Sequence, residues 1–357
     1  MEENAFDFLK KLLDAPAPSG FETAAARVWR GWAERFADDV QVDVAGNSYA
    51  SLGGGGAPRV MLAGHVDEIG LMITHVDDDG FLYVDGIGGW DPQVLVGQRI
   101  RFLTRKGDVI GVVGKKPIHL IKPDEKEKAV KLQDLWVDVG VRNRDEATER
   151  GIRVGDPGVV DTQLVKLSPD LIASRAVDNR VGAFVVLEVL RALSQGDKPA
   201  AEVTAVATTQ EEIGFNGGGA RPSAYRVDPQ VAIAVDLTFS TDAPGVDAKQ
   251  VGEHKLGSGP VLSRGSAIHP LVFERLAETA EREGIPYTIQ GSPRFTSTDA
   301  DAIYLQRHGV ATAVVSVPNR YMHSPNEVVS LEDIDATIRL ITAFCRGLRA
   351  EDDFIPR

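Results

Sequence analysis

The pattern of apolar positions divides the chain into two kinds of segment. Toward both ends, apolar residues at helical spacing alternate with short buried-type runs such as Arg59 to Ala63, Val203 to Thr208 and Val231 to Val235. From about Leu71 to Leu167, short β-type runs separated by Gly and Asp turns dominate, and helical periodicity is mostly absent. Buried strands separated by helices predict an α/β sandwich with a largely parallel sheet, whereas the middle segment predicts a small β-rich domain.

Individual elements follow from the same patterns. The helical spacing predicts helices at residues 6–13, 22–36, 181–193, 271–283, 298–306 and 331–348. The middle segment predicts strands at residues 71–76, 81–84, 99–103, 109–113, 135–139 and 159–166. We therefore predict one α/β domain formed by residues 1–70 and 170–357, interrupted by a β-rich insertion at residues 71–169.

The composition narrows the class of protein. The net charge is −13, and no block of Lys and Arg supplies the basic surface that nucleic-acid binding requires. No apolar run reaches the roughly 18 residues of a membrane span, and the acidic N-terminus lacks the features of a secretory signal. The single cysteine, Cys345, excludes an internal disulfide and thiolate-rich metal sites. We expect an acidic cytoplasmic protein that binds neither nucleic acid nor membranes.

Polar side chains follow five predicted strands at the point where each strand ends. In chain order they are His65 with Asp67, then Asp178, the pair Glu211 and Glu212, Asp236, and His323. Because functional groups in open α/β sheets gather at the carboxyl ends of the strands, we expect these side chains to converge. Imidazole and carboxylate groups without thiolate suit zinc, cobalt or manganese in a hydrolytic site.

The charges of these residues suit two metal ions. Three carboxylates, those of Asp178, Glu212 and Asp236, together with one hydroxide would neutralise two divalent cations. Adjacent side chains diverge in extended backbone, so one glutamate of the 211–212 pair can bind metal while the other acts as a base. A carboxylate two residues after His65 can accept its second ring N–H and fix the tautomer of a metal-bound histidine.

Each residue taken alone has a simpler interpretation. A strand-end Asp178 or Asp236 is more often a helix cap or a surface charge, and Asp178 precedes a predicted helix that it could cap. The two adjacent glutamates could form a solvated turn, and His65 could be a hydrogen-bonded core histidine. Five coincidental polar strand ends in one sheet are improbable, however, so the combination favours a metal site.

Seven segments carry recognisable motifs. They are Gly64-His65-Val66-Asp67-Glu68-Ile69-Gly70, Lys115-Lys116-Pro117-Ile118-His119-Leu120, Ala176-Val177-Asp178-Asn179-Arg180-Val181-Gly182, Thr209-Gln210-Glu211-Glu212-Ile213-Gly214, Ala234-Val235-Asp236-Leu237-Thr238, Ser297-Thr298-Asp299-Ala300 and Arg320-Tyr321-Met322-His323-Ser324-Pro325. Together and in this order, they resemble the M42 metallo-aminopeptidases, the glutamyl and tetrahedral aminopeptidase group, over nearly the whole chain. The resemblance implies an α/β/α sandwich of the zinc-exopeptidase type with an inserted, barrel-like dimerisation domain.

The resemblance also implies a mechanism. The resemblance implies that two divalent ions per subunit, usually zinc or cobalt, act together to remove N-terminal residues from peptides. The ligand types also accept manganese. By motif, His65 and Asp236 would bind one metal, Glu212 and His323 the other, and Asp178 would bridge them. Glu211 would be the general base for a metal-bridging water, and Asp67 would orient His65. Members commonly form dimers that assemble into hollow tetrahedral dodecamers, which admit only unfolded peptides.

At two places the sequence departs from the family pattern, so the resemblance does not define the substrate pocket. Phe239 stands where the family often has histidine, and Arg264 to His269 differs from the small residues that are usual there. No role is assigned to His119. The alternative functions are another metal-dependent amide hydrolase, such as a carboxypeptidase or a deacylase, and a non-catalytic peptide-binding protein that retains the metal site.

Overall fold

The computed structural model describes residues 1–123, 127–196, 198–214 and 217–357. Its α-helices are α1 Glu3–Asp14, α2 Thr23–Ala33, α3 Arg144–Glu149, α4 Val177–Ser194, α5 Ala220–Val227, α6 Ala248–Val251, α7 Pro270–Glu283, α8 Ala300–Ile303 and α9 Leu331–Gly347. Its strands are β1 Asp39–Val42, β2 Ser48–Leu52, β3 Arg59–His65, β4 Gly70–Val76, β5 Leu82–Ile87, β6 Arg99–Thr104, β7 Gly107–Gly114, β8 Trp136–Asp138, β9 Pro157–Val160, β10 Val165–Lys166, β11 Leu171–Ser174, β12 Glu202–Thr208, β13 Val231–Phe239, β14 Val261–Gly265, β15 Thr288–Ser292, β16 Ala311–Arg320 and β17 Glu327–Ser330. None of the helices in these described ranges is both long enough and apolar enough to cross a membrane.

The large sheet has a parallel centre and antiparallel flanks. Its strand order is β1-β2-β12-β3-β13-β16-β17-β11-β10, with β14 pairing with β16 and β15. Strands β12, β3, β13 and β16 are mutually parallel, whereas β1–β2, β2–β12, β16–β17, β17–β11 and β11–β10 are antiparallel pairs. The predicted largely parallel sheet is therefore correct only for the centre. Short connections such as those joining β1 to β2 and β16 to β17 can form only antiparallel neighbours.

Helices cover both faces of this sheet. In β3, Val60 and Leu62 pack into the core shared with α1, α2, α4, α7 and α9, whereas Met61 and Ala63 pack with residues of α5 and α8. This alternation is expected from a strand whose successive side chains point to opposite faces. The result is a three-layer α/β/α arrangement, and helix α4, which packs along β3, β12 and β13, forms its buried centre.

The insertion closes into a barrel of six described strands, in the order β4-β5-β8-β7-β6-β9. It has its own apolar core, which includes Leu71, Phe102 and Val137. The single strand predicted at residues 159–166 is wrong, because β9 belongs to the barrel and β10 pairs with β11 in the large sheet. Polar residues 161–163 separate the two strands, and Leu164 packs into the α/β core. The exact division of the chain into domains stays a prediction.

Candidate metal centre

The parallel register brings the predicted site residues to one edge of the sheet. His65, the last residue of β3, lies opposite Thr208, the last residue of β12, so the segments that follow both strands leave the sheet at the same level. The start of α4 approaches β3 so closely that a Cβ on Gly64 would lie only 2.4 Å from the carbonyl carbon of Gly182. This contact between glycines places Asp178 beside His65.

The two carboxylate oxygens of Asp178 face two different histidines. Asp178 Oδ1 lies 3.4 Å from His65 Nε2, and Asp178 Oδ2 lies 3.6 Å from His323 Nε2. His323 Nε2 is also 3.3 Å from an oxygen of Glu212. Possible ligand atoms of His65, Asp178 and Glu212 lie within 4.8 Å of one another, as do those of His65, Glu211 and Asp236. The structure thus brings together all the residues that the sequence predicted as ligands or base.

Asp67 contacts both the histidine and the glutamate turn. Its Oδ1 lies 3.4 Å from His65 Nδ1, which is a long contact. The same carboxylate accepts the backbone N–H of Glu211 at 3.3 Å and that of Glu212 at 3.1 Å. Asp67 is fully buried. One side chain therefore lies against the ring of His65 and bonds the backbone of the two glutamates.

Glu327 is a functional candidate that sequence reasoning missed. Its two oxygens accept the backbone N–H groups of Asp178, at 2.9 Å, and of His323, at 2.7 Å. The side chain of Glu327 is buried. The ring of His323 is oriented from its other side, where Nδ1 lies 2.9 Å from the carbonyl oxygen of Gly89 in the insertion. The only available sequence signal was an acidic residue four positions after the histidine.

A second missed feature is a buried ion-pair network behind the loop that carries His65. Glu68 is paired with Arg175 and, at 2.6 Å, with Arg180, and it also accepts the backbone N–H of Ala17. Arg180, which is fully buried, donates a further hydrogen bond of 3.1 Å to the carbonyl oxygen of Val66. These contacts hold the loop between β3 and β4 against the segment between α1 and α2 and against the start of α4.

The charges of the site call for cations. Burial raises the pKa of Glu211 to about 10. The charge of His65 opposes this rise, and the charge of Asp236 adds to it. Burial and the charge of Asp178 raise the pKa of Asp236 well above its usual range, and burial also raises the pKa of Glu212. The hydrogen bond with Glu212 raises the pKa of His323 to about 9. The carboxylates are thus buried together, and neighbouring negative charges add to the effect of burial on the pKa of Glu211, Glu212 and Asp236. Divalent cations would compensate this buried charge.

The donor set fits such cations. The site offers imidazole nitrogens and carboxylate oxygens, which zinc, cobalt and manganese accept. Within the described chain, the buried Glu212 Oε1 has no hydrogen-bond partner, so it is free to act as a ligand. Asp178 does not cap the helix that follows it. The backbone is non-helical at Asp178 and Asn179, and it is the side chain of Asn179 that accepts the backbone N–H of Gly182, at 2.9 Å. The adjacent glutamates do not form a solvated turn either, because only 19% of the Glu211 side chain and 5% of the Glu212 side chain are exposed.

A cavity of about 1300 Å³ opens in front of these residues. Phe239, one of the departures from the family pattern, lies at the end of β13 and lines this cavity. His119 lies in an exposed turn of the insertion, Ile118–Leu120, and does not line the described cavity. The structure therefore places Phe239 at the site and His119 outside it.

Comparison with known proteins decides the family. The profile of the M42 glutamyl aminopeptidase family matches residues 46–340. The chain belongs to the M42 family. A lysyl aminopeptidase from Pyrococcus furiosus is 39% identical to this M42 chain over 350 residues, which cover 97% of the chain and 98% of the relative.

Solved structures agree with this assignment. A TET aminopeptidase from a marine-sediment archaeon of the Thaumarchaeota matches with a TM-score of 0.93 and 33% identity, covering 98% of each chain. The TET1 peptidase of Pyrococcus horikoshii, described as able to assemble into a tetrahedron or a large octahedral shell, matches with a TM-score of 0.84 and 30% identity, covering 96% of this chain and 100% of the other. These findings confirm the predicted family, the predicted fold class and the assignment of the chain to the aminopeptidases, which are hydrolases. The M42 family is metal-dependent.

Proposed function

We propose that this M42 protein is a two-metal aminopeptidase that releases N-terminal residues from peptides. The observation that carries the proposal is the position of Asp178, whose two oxygens face the histidines at 3.4 and 3.6 Å. In this proposal, His65 and Asp236 would hold one divalent ion, Glu212 and His323 would hold the other, and Asp178 would contribute to both sites. Zinc, cobalt or manganese satisfies the donor set.

Glu211 acts as the general base. Bound divalent ions polarise the scissile carbonyl and lower the pKa of water. Glu211 accepts a proton from the water whose oxygen attacks the carbonyl carbon, and it delivers that proton to the amine nitrogen when the C–N bond breaks. Its side chain suits this role because it borders the cavity and its Oε2 lies 3.6 Å from His65 Nε2. Asp67 keeps the base in place through the backbone N–H of Glu211.

The test uses metal-stripped protein to which zinc, cobalt or manganese is added back. Bound metal is counted by elemental analysis, and release of residues is followed for peptides with free and acetylated N-termini. We expect two ions per subunit and ordered release from free N-termini only. Equal cleavage of acetylated peptides would indicate a deacylase, and release from the C-terminus a carboxypeptidase. Bound metal without any cleavage would favour a peptide-binding protein.

We further propose that residues 1–70 and 170–357 belong to the catalytic domain and that the barrel within residues 71–169 is a dimerisation domain. Support comes from apolar side chains on the outside of the insertion, namely Ile110, Val112, Ile118 and Leu120, all of which are exposed. The tetrahedral and octahedral assemblies described for the Pyrococcus horikoshii relative support self-association, and we propose that dimers of this chain build a hollow tetrahedral dodecamer. Light scattering of the purified protein tests this, and a stable monomer would contradict it.

A further inference from the structure

Asp299 is an acidic residue of the cavity to which the mechanism gives no role. It directly precedes helix α8, yet its side chain makes no capping hydrogen bond to that helix. One of its oxygens, Oδ2, accepts a hydrogen bond of 2.5 Å from the hydroxyl of Thr208 at the end of β12. The other, Oδ1, is buried and has no hydrogen-bond partner within the described residues, although Asp299 is only 5% exposed. A buried carboxylate oxygen without a partner is costly unless a ligand satisfies it.

The position of Asp299 relates it to the reaction. It lines the same cavity as Glu211 and Asp236, and its negative charge helps to raise the pKa of both. It belongs to neither of the two groups of possible metal ligands whose atoms lie within 4.8 Å of one another. Asp299 therefore stands beside the base and the ligands without being one of them.

The charge of Asp299 is also left over when the other acids are accounted for. In the proposed mechanism, two divalent ions are balanced by Asp178, Glu212, Asp236 and one hydroxide, and Glu211 handles the proton. Asp301, a second acid of the same loop, already accepts the backbone N–H groups of Thr296, at 2.9 Å, and Ser297, at 2.8 Å. Asp299 is thus the acid that remains available for a cationic part of the substrate.

We propose that Asp299 binds the α-ammonium group of the substrate's N-terminal residue. This inference rests on the proposed aminopeptidase function and adds a recognition residue to it. A primary ammonium supplies one positive charge and up to three donors, which suits a buried carboxylate with a free oxygen. An ammonium fixed at this point brings the first peptide bond of the substrate, and no later one, to the metals and to Glu211. Exopeptidase action then follows from the geometry.

A purely structural role for Asp299 makes a different prediction. If the carboxylate served only to hold Thr208 and the end of β12, its replacement would weaken all active-site ligands by the same factor. If it binds the ammonium, its replacement weakens only ligands that carry one. The quantity that distinguishes the two roles is therefore the ratio of the affinities for a ligand with and a ligand without the ammonium group. A change in protein stability or metal content alters this ratio much less than it alters either affinity.

The experiment measures this ratio by calorimetry at pH 7 on the metal-loaded full chain. The probes are leucine hydroxamate and 4-methylpentanohydroxamate, which differ only in the α-amino group. We expect the wild-type protein to prefer the amine, and Asp299→Asn to reduce that preference by about tenfold to a hundredfold, as the loss of a charge-assisted hydrogen bond implies. Asp301→Asn is the matched control: it removes an acid from the same loop and is expected to leave the ratio unchanged.

Several outcomes would overturn the inference. Equal affinity of the wild-type protein for the two probes would refute the role of Asp299, whether or not the variant folds. An unchanged affinity ratio in a folded, metal-loaded Asp299→Asn protein would also refute it. Thr208→Val provides a second variant, in which loss of the hydroxyl that holds Asp299 should lower the ratio in the same direction. A wild-type protein that releases no N-terminal residues refutes the proposed function, whereas an active enzyme with an unchanged ratio refutes only the role of Asp299.

Discussion

At the ends of the central strands of the large sheet, charged side chains are buried, whereas on the outer face of the barrel apolar side chains are exposed. His65, Asp67 and Glu68 are almost inaccessible to solvent in the first region. In the second, Val112 on strand β7 is 48% exposed, and the neighbouring turn presents Ile118 and Leu120. Both arrangements are unfavourable in an isolated chain, because buried charge and exposed apolar surface each cost free energy.

The two regions differ in what would stabilise them. In the proposed function, cations would stabilise the crowded carboxylates of the sheet, and contact with a second copy of the chain would stabilise the apolar face of the barrel. Chemistry and assembly are thus assigned to different parts of one polypeptide. Substitutions in the two regions test this division.

Replacing Glu211 by Gln should lower kcat by about 10²- to 10⁴-fold, because the amide cannot accept the proton of the attacking water. The bound metal, counted by elemental analysis, should stay at the wild-type level. Glu202→Gln is the control, since Glu202 lies at the opposite end of strand β12 and bonds the backbone of Gly55. Wild-type turnover in the Glu211 variant would remove this residue from the mechanism.

Replacing Arg180 by Met should lower the free energy of unfolding by about 3–5 kcal/mol, because it leaves Glu68 with an incompletely paired buried charge. The measurement is urea denaturation of the metal-free protein. Arg264→Met breaks the exposed pair of Arg264 with Glu274, 3.3 Å apart, and should cost only about 0–1 kcal/mol. Similar losses in the two variants would show that the buried network contributes no more than a surface pair.

Replacing Glu327 by Gln should weaken metal binding by about 10- to 100-fold, the usual effect of losing a residue that orients metal ligands. One of its two acceptor oxygens becomes an NH₂ group, which faces the N–H of Asp178 or His323. Competition with a chelator measures the dissociation constant. Glu332→Gln, at an exposed position of α9, serves as control, and equal affinities of the two variants would contradict a positioning role for Glu327.

Replacing Val112 by Asp should weaken self-association by about tenfold or more, because a charge takes the place of an apolar contact at the proposed interface. Mass photometry over a concentration series measures the change. Val42→Asp is the matched control, because Val42 is 52% exposed on an edge strand of the large sheet. If both substitutions leave the assembly intact, the interface lies elsewhere on the protein.

Much of the fold could be predicted from apolar patterns. Strands β3, β12 and β13 are continuous apolar runs in the sequence, and helices α1, α7 and α9 have clear helical spacing. Strand β2 was missed because its residues Ser48, Tyr49 and Ser51 are polar, although the hydroxyl of Tyr49 is bonded to Asp43 and Ser223 within the fold. The pairing of such a strand depends on partners that are distant in sequence, and local pattern carries no information about them.

The site shows the same limit. Strand-end side chains such as His65 and Asp236 could be predicted to converge, because parallel strands share one edge of the sheet. Glu327 could not, because it acts on the backbone N–H of Asp178, 149 residues away, and backbone groups have no sequence signature. The ligand roles themselves remain predictions until metal is bound and counted.

The carbonyl of Gly89 has a consequence for engineering. This oxygen belongs to the insertion, yet it is the hydrogen-bond partner of the His323 ring. The segment between β3 and β11 is therefore not an interchangeable module, since a shortened enzyme in which a tight turn replaced the barrel would lose the acceptor that sets the tautomer of this histidine. A working minimal version would have to supply a new carbonyl or carboxylate at the same place.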